Sequence, residues 1–341
     1  MQDRGKRASI AELRASVEPA LALLAGMQLG VFTVLGERDL SAEQVAAQIG
    51  CDARRLSRLL YALAHIGLLE VTGGRFRNGI EAAEVLVAGK PGFIGGAHEL
   101  IAKVWTANLN TAESIRTGRP FAEHDFSAAP PEETAAMLRG PGGVAFGRTL
   151  AGMLDLSRAE SVIDIGGGAG TVLAELKERW PHLKATLLEL PEVIVHAGPI
   201  LAEHRAGEVA LEAGDILRGP ARHKHDVAIL RAVIQVLSPA DAELAIRHTA
   251  QSLRPGGEAI IGGWGILDDD RLGPPNGVFV NLTFLNLYRA GEAYTESQYR
   301  GWMKVAGFIG VERSSMPDGT GIFRGRIAPE ADVPARDEDT R

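Results

Sequence analysis

Acidic side chains follow three successive apolar segments in the second half of the chain, and the first of them stands beside a glycine-rich turn. Asp164 lies two residues before the glycines of segment 166–170, and Glu189 and Asp215 come at the ends of the next two apolar segments. Glycine permits a sharp turn and lets a ligand approach the backbone without a Cβ atom in the way. Carboxylates beside such a turn favour a ligand with hydroxyl, amino or cationic groups over one with phosphates.

The spacing of the glycines excludes two common phosphate-binding motifs. The dinucleotide fingerprint requires glycines at its first, third and sixth positions, but the sixth position counted from Gly166 is Thr171. The P-loop is excluded because no Gly-Lys-Ser/Thr follows the turn. The remaining pattern indicates a cationic nucleoside without phosphates.

The other two carboxylates fit the rest of such a ligand. Glu189 lies 21 residues after Gly168, and an acidic residue at the end of the second strand can accept both hydroxyls of a ribose. Asp215 can accept a hydrogen bond from an adenine amino group, while Ile216 packs on the ring. Each residue alone has an ordinary surface explanation, but three carboxylates at successive strand ends beside a glycine turn predict a nucleoside site.

The elements that must position these residues begin at Val162. From there, short apolar segments alternate with amphipathic helices, which predicts a parallel sheet with helices on both faces. The predicted strands are 162–166, 185–190, 209–215, 227–231 and 259–263.

The first part of the chain has a different pattern of apolar residues. Apolar residues at helical spacing over 11–36, with Gly30 and Gly36 as breaks, precede helices that we expect Ser41 and Asp52 to cap. Two short strands follow, at 67–71 and 74–77. Helices followed by a small β wing resemble a winged helix. Because this wing is not strongly basic, the module can be either a dimerisation platform or a DNA-binding unit.

Bulk properties limit the class of protein. The 341 residues carry a net charge of −7 and one cysteine, Cys51. The charge argues against a nucleic-acid partner, and the single cysteine argues against a disulfide framework or a cysteine-based zinc site. No grouping of His with Asp or Glu suggests a metal site. The sequence shows neither a secretory signal nor an apolar segment long enough to cross a bilayer, so we expect a cytoplasmic protein without a membrane partner.

Five ordered motifs resemble those of the plant-type, or acetylserotonin-type, O-methyltransferase family: 164–170, 189–193, 214–217, 254–258 and 295–308. The resemblance implies a Rossmann-like S-adenosyl-L-methionine-binding domain behind a winged-helix-like dimerisation domain. The implied domains are 1–92 for homodimerisation, 93–157 as a helical linker that covers the substrate, 158–327 for methyl transfer, and a disordered tail over 328–341.

The resemblance also implies a residue-by-residue cofactor site. Gly166 and Gly168 would line the methionine part, Glu189 the ribose, and Asp215 with Ile216 the adenine, with S-adenosyl-L-homocysteine as the product. The full expected set is Asp164, Gly166, Gly168, Glu189, Leu190, Gly214, Asp215, Ile216 and Arg231.

The catalytic position departs from the family pattern. Aligned on Arg231 and on the Ser-Pro at 238–239, the family's histidine base corresponds to Gln235, and its supporting acidic residue corresponds to Gly263. Glutamine forms hydrogen bonds but cannot act as a base near neutral pH. Losing a general base costs about 10²- to 10⁴-fold in rate. We therefore predict that Gln235 and Arg231 are the catalytic residues and that the acceptor needs no base.

The acceptor pocket is expected between segments 98–147 and 264–290. His98 and His124 are the histidines best placed in sequence to replace the missing base. The predicted pocket residues are Trp105, Asn108, Met137, Phe146, Trp264, Asn281 and Phe284.

Three functions remain open from the sequence. The leading prediction is methyl transfer to oxygen or carbon of a small aromatic or enolic acceptor. A second is a non-methylating rearrangement, cyclisation or hydroxylation that uses the same cofactor. A third, from another class, is a ligand-responsive winged-helix regulator.

Overall fold

The computed structural model describes residues 8–90, 92–125, 134–135, 138, 142–204 and 207–329. The chain divides into two compact units, one up to Thr106 and one from Ala107 onward. This boundary falls inside the segment 93–157, which the sequence predicts as one linker. The predicted tail lies outside the described residues except for 328 and 329.

The N-terminal unit contains the predicted helices and wing. Its antiparallel sheet has the order β1-β3-β2. The elements are α1 (Ile10–Ala15), α2 (Val17–Gln28), α3 (Val31–Leu35), β1 (Leu40–Ser41), α4 (Ala42–Ile49), α5 (Ala53–His65), β2 (Leu69–Thr72), β3 (Arg75–Asn78), α6 (Ile80–Val85) and the start of α7 (His98–Leu109).

The predicted helix starts in this unit are confirmed. The Ser41 side chain accepts from the backbone of Gln44 at the start of α4, and Asp52 accepts from Arg55 at the start of α5. Such caps satisfy backbone N–H groups that have no partner within the helix. Phe32 and other fully buried side chains of α3, α5 and β3 form the core of the unit.

The C-terminal unit alternates strands and helices as predicted. Its elements are α8 (Thr111–Thr117), α9 (Gly142–Met153), β4 (Ser161–Ile165), α10 (Thr171–Arg179), β5 (Lys184–Glu189), α11 (Pro191–Ile194), α12 (Ala197–Glu203), β6 (Val209–Ala213), β7 (His225–Arg231), α13 (Pro239–Gln251), β8 (Leu253–Gly263), β9 (Ile266–Leu267), α14 (Pro275–Leu287), β10 (Tyr294–Thr295), α15 (Glu296–Val305), β11 (Phe308–Ser315) and β12 (Gly321–Ile327).

The main sheet of the described residues is mixed, which corrects the prediction of a parallel sheet. Its order is β11-β12-β8-β7-β4-β5-β6. The five predicted strands, β4 to β8, are parallel to their neighbours, but β12 pairs antiparallel with both β8 and β11. Strands β11 and β12 are joined by the short turn 316–320, and a short turn can connect only antiparallel strands. One apolar cluster covers each face of the sheet.

No helix of the described residues is long and apolar enough to cross a membrane.

A buried histidine lies at the amino-terminal end of β7, and Arg231 lies at the other end of the strand. His225 is 5% exposed, and neither ring nitrogen has a hydrogen-bond partner among the described residues. Burial lowers the pKa of this imidazole, and nearby Arg254 lowers it further, while nearby Glu212 and Asp226 raise it. The folded protein therefore favours the neutral ring.

We expect His225 to make the fold sensitive to acid. The unfolded chain, with a histidine pKa of about 6.5, binds the proton more strongly than the folded chain. Stability is therefore at its full value, as far as His225 is concerned, above that pH. The free energy of unfolding decreases as the pH falls from about 6.5 toward the lowered pKa of the folded state. His225→Leu should reduce the drop in melting temperature between pH 7.5 and pH 5.5. His204→Gln, at an exposed position, should leave the drop unchanged, and an unaltered drop in His225→Leu would contradict the assignment.

Candidate active site

The glycine turn after β4 has a backbone that other residues adopt poorly. Gly166 and Gly168 have φ values of +65° and +60°. A Cβ atom on Gly166 would lie 2.6 Å from Val233, and one on Gly168 would lie 2.8 Å from Leu138. Side chains therefore pack closely against the turn, and only glycine fits at these two positions.

Glu189 joins the turn to the end of β5. One of its carboxylate oxygens accepts from the Gly168 N–H at 2.8 Å, and the other accepts from the Leu190 N–H at 2.7 Å. Burial raises the pKa of Glu189, and these two hydrogen bonds oppose that shift. Both oxygens keep a further lone pair for hydroxyl donors.

Asp164 lies beneath the turn and does not face solvent. It is fully buried, and neither carboxyl oxygen has a partner among the described residues. Burial raises its pKa to about 7, Arg231 opposes the shift, and Glu189 adds to it. A Cβ on Gly167 would lie 2.2 Å from its Oδ2. The geometry thus gives Asp164 an electrostatic position under the turn, and its direct contact with a cofactor stays a prediction.

Arg231 ends β7 beside this carboxyl group. Its guanidinium carbon lies 5.3 Å from the ring centre of Phe146, and no described carboxylate forms an ion pair with it. Burial lowers its pKa, whereas Asp164 and Asp318 raise it. Phe146 is 6% exposed and packs in the core beside Arg231, and its predicted contact with an acceptor stays a prediction.

The end of β6 provides the third part of the site. The Gly214 N–H donates to the Glu189 carbonyl at 2.9 Å, which holds the two strand ends together. Asp215 accepts from the Leu217 N–H and lies 3.6 Å from the Arg218 guanidinium. Ile216 is buried. The three strand ends therefore meet at one edge of the sheet, as predicted.

Gln235 lies on the short 3-10 helix Ile234–Val236 and is 7% exposed. Its Oε1 accepts from the Gly265 N–H at 3.1 Å. A Cβ on Gly263 would lie 2.6 Å from the same oxygen, so the missing side chain at 263 makes room for the amide. No described residue accepts a hydrogen bond from Nε2. The amide is thus oriented with its donor end free.

Other predicted acceptor residues have roles in packing. Phe284 is 3% exposed in a small core cluster. Asn108 donates to Thr283 and accepts from Asn286. The Asn281 side chain accepts from the Ala293 N–H, and this residue also lines a cavity of about 410 Å³.

The remaining predictions for the acceptor are placed as follows. Trp264 is 49% exposed at a second cavity. Trp105 and His98 belong to the N-terminal unit, where His98 Nδ1 lies 2.8 Å from the Gly95 carbonyl oxygen. The backbone of His124 donates to the Leu287 carbonyl. Met137 lies outside the described residues. No cluster of His, Cys, Asp and Glu among the described residues could hold a metal ion.

Sequence reasoning missed the partners that shape the site. Gly265 anchors the amide of Gln235, and Leu138 and Val233 limit the glycine turn. The repeated glycines around Trp264 were the available signal for the first of these. The other two contacts depend on chain segments that meet only in the folded state.

The residues at this edge fit S-adenosyl-L-methionine. The turn accepts only glycine, Glu189 offers oxygens to a ribose, and the unpartnered Asp164 carboxyl and the Arg231 guanidinium lie close by. Acidic groups favour a sulfonium cation and its amino group. A mixed sheet with this carboxyl-end site defines a class: the S-adenosylmethionine-dependent methyltransferases.

The family follows from comparison with known proteins. Residues 133–309 match the O-methyltransferase domain, and residues 19–88 match the O-methyltransferase dimerisation domain. The chain belongs to this family and is an S-adenosylmethionine-dependent O-methyltransferase, which confirms the resemblance seen in the sequence. The dimerisation domain implies a homodimer.

Relatives match over most of the chain. The 3-hydroxy-5-methyl-1-naphthoate 3-O-methyltransferase of Streptomyces sahachiroi is 29% identical, over 89% of this chain and 90% of its own. The tetracenomycin polyketide synthesis 8-O-methyl transferase TcmO of Streptomyces glaucescens is 30% identical, over 89% and 92%. The structure of human N-acetylserotonin methyltransferase in complex with SAM is similar in fold, with a TM-score of 0.76 at 24% identity, over 95% and 99%.

We expect Glu189→Gln to weaken binding of S-adenosyl-L-homocysteine about 10- to 100-fold. The change removes a charge and replaces one accepting oxygen by a donor that opposes a backbone N–H, and hydrogen bonds to charged groups contribute about 1.5–3 kcal/mol. Titration calorimetry measures the affinity. Glu175→Gln, at a carboxylate that pairs with Arg148, should bind normally. Normal affinity in a folded Glu189→Gln protein would contradict the assignment.

Ala232 has a left-handed backbone, with φ of +59°, between Arg231 and Gln235. A non-glycine residue there costs about 1–2 kcal/mol, so Ala232→Gly should raise the free energy of unfolding by about 0.5–1 kcal/mol after the entropy of glycine is counted. Urea denaturation measures it. Ala228→Gly, inside β7, should lower stability instead. A loss of stability in Ala232→Gly would show that the strain is not relieved there.

Proposed function

We propose that this O-methyltransferase methylates an acidic hydroxyl of a small polycyclic aromatic acceptor, such as a polyketide, and does so without a histidine base. The observation that carries the proposal is the anchored amide of Gln235, whose oxygen accepts from the Gly265 N–H at 3.1 Å. That hydrogen bond assigns the oxygen to the protein and leaves Nε2 as a donor.

A donor suits an acceptor oxygen that is already ionised. An amide N–H stabilises a phenolate, whereas it cannot take a proton from a phenol. When bound, S-adenosyl-L-methionine supplies the methyl group as an electrophile on a positive sulfur. An acidic hydroxyl therefore reaches the site as its anion, and Gln235 orients the oxygen for attack.

Position 263 supports the same proposal. With no side chain at Gly263, no carboxylate of that residue stands beside the amide to stabilise a protonated base. Arg231 instead places a positive charge at the end of β7, next to Phe146. We propose that it belongs to the electrostatic setting of the cofactor and of the anionic acceptor.

The acceptor class follows from two relatives. Their names give a hydroxynaphthoate and a tetracenomycin polyketide as the compounds on which they act. These names indicate planar aromatic hydroxyl compounds, and neighbouring carbonyl or carboxyl groups commonly acidify such hydroxyls. We propose a substrate of this chemistry for the present enzyme.

The pH dependence of turnover tests the proposal. With 1-naphthol and the more acidic 4-nitro-1-naphthol, kcat/KM should rise with pH along each acceptor's own ionisation, so the two midpoints should differ as the acceptor pKa values differ. Release of S-adenosyl-L-homocysteine gives the rate. A common midpoint for both acceptors would show a base on the enzyme and would contradict the proposal.

A variant sharpens the test. Gln235→His introduces a group that can accept the proton, so turnover of 1-naphthol near pH 7 should rise by about 10-fold or more, while that of the nitro compound changes little. Gln251→His, at an exposed position on α13, is the matched control and should alter neither rate. Equal loss of both activities in Gln235→His would assign the amide to positioning alone.

A further inference from the structure

A cleft with an aromatic lining opens beside the carboxyl end of β8. Its volume is about 380 Å³. Trp264 and Phe279 line it and are 49% and 68% exposed, which is unusual for large aromatic side chains and leaves their surfaces free for a ligand. The other lining residues are Asn276, Val280 and Asp318.

The cleft is adjacent to Gln235 through the segment 263–265, which begins at the last residue of β8. Gly263 and Gly265 stand on either side of Trp264, and Cβ atoms on them would lie 2.6 Å and 2.7 Å from the Gln235 side chain. Gln235 therefore packs against the residues on both sides of Trp264.

Close packing of α14 forms the opposite wall. A Cβ on Gly277 would lie 3.1 Å from the carbonyl oxygens of Trp264 and Ile266. This glycine lets the first turn of α14 approach the strand, and it brings Asn276 and Phe279 to the cleft. Close backbone contacts between α14 and the segment 264–266 therefore position the aromatic side chains of the cleft.

The charged residue in the lining of the cleft is a carboxylate. Asp318 lies in the turn between β11 and β12, and its Oδ1 accepts from the Thr320 N–H at 2.9 Å. No described residue donates to its other oxygen. None of the described lining residues is Lys, Arg or His. The lining therefore places one carboxylate beside two aromatic side chains, and Arg231, which does not line the cleft, partly offsets its charge.

We propose that this cleft is a specificity subsite for a protonated amine carried by the aromatic acceptor. Aromatic faces attract a cation through their electron-rich surface, and a carboxylate adds a direct charge interaction. The inference rests on the proposed function, because it concerns a substituent of the same acceptor. Asp318 is the specificity-determining residue, and Trp264 and Phe279 provide the aromatic contacts.

Binding of a matched pair of probes tests the subsite. The probes are 4-[2-(dimethylamino)ethyl]phenol and its neutral isostere 4-(3-methylbutyl)phenol, titrated at pH 7.5 into the full-length enzyme saturated with S-adenosyl-L-homocysteine. The enzyme should bind the amine about five- to tenfold more tightly than it binds the neutral isostere. Equal affinities for the two probes would overturn the proposal.

Two variants assign the preference to its residues. Asp318→Asn should remove the preference for the amine and leave the affinity for the isostere unchanged. Trp264→Leu should lower the affinity for both probes. The control is Asp155→Asn, because Asp155 also accepts from the N–H two residues on, at Ser157, but does not line the cleft. A preference that persists in Asp318→Asn would overturn the proposal.

The proposed function and the proposed subsite are tested by independent measurements. The pH profiles of naphthol methylation report on the acceptor's ionisation and do not involve an amine. If those profiles contradict the base-free reaction, the probe pair still measures whether the cleft selects a cation. If the probe pair shows no preference, the pH profiles are unaffected.

Discussion

The hydrogen bond from the Gly168 N–H to the Glu189 carboxylate is the contact on which the active site depends. It joins the turn after β4 to the end of β5 at 2.8 Å, and the Gly214 N–H joins the end of β6 to the same residue. Because Glu189 is buried, the charge of its carboxylate is stabilised mainly by the backbone N–H groups of Gly168 and Leu190. The same carboxylate holds the turn and keeps a lone pair on each oxygen for a hydroxyl donor, so one group serves the fold and remains available to a ligand.

The sequence predicted the parts of the fold that depend on local pattern. Strands β4 to β8, the glycine turn and the caps at Ser41 and Asp52 all follow from apolar periodicity and short motifs. The antiparallel strands β11 and β12 were missed: the short turn between them fixes their relative direction, but their place in the sheet does not follow from spacing. The edge position of a strand is decided by long-range packing.

Side-chain roles were harder to predict than element positions. Phe146 and Phe284 have the residue type of pocket walls, yet both are buried, because an aromatic side chain fits a core as well as a cleft. Asp164 has the type of a ligand contact, yet it lies beneath the turn. Asp318 came from the unpredicted β11–β12 turn. Residue type limits the chemistry, but exposure depends on contacts between distant segments.

The fit between Gln235 and Gly263 restricts how the catalytic position can change during evolution. A side chain gained first at 263 would meet the Gln235 oxygen at 2.6 Å and would displace the amide from the Gly265 N–H. Replacement of Gln235 by a smaller residue first would remove this contact. We therefore expect the effect of a substitution at one of these positions to depend on the residue at the other, which is epistasis.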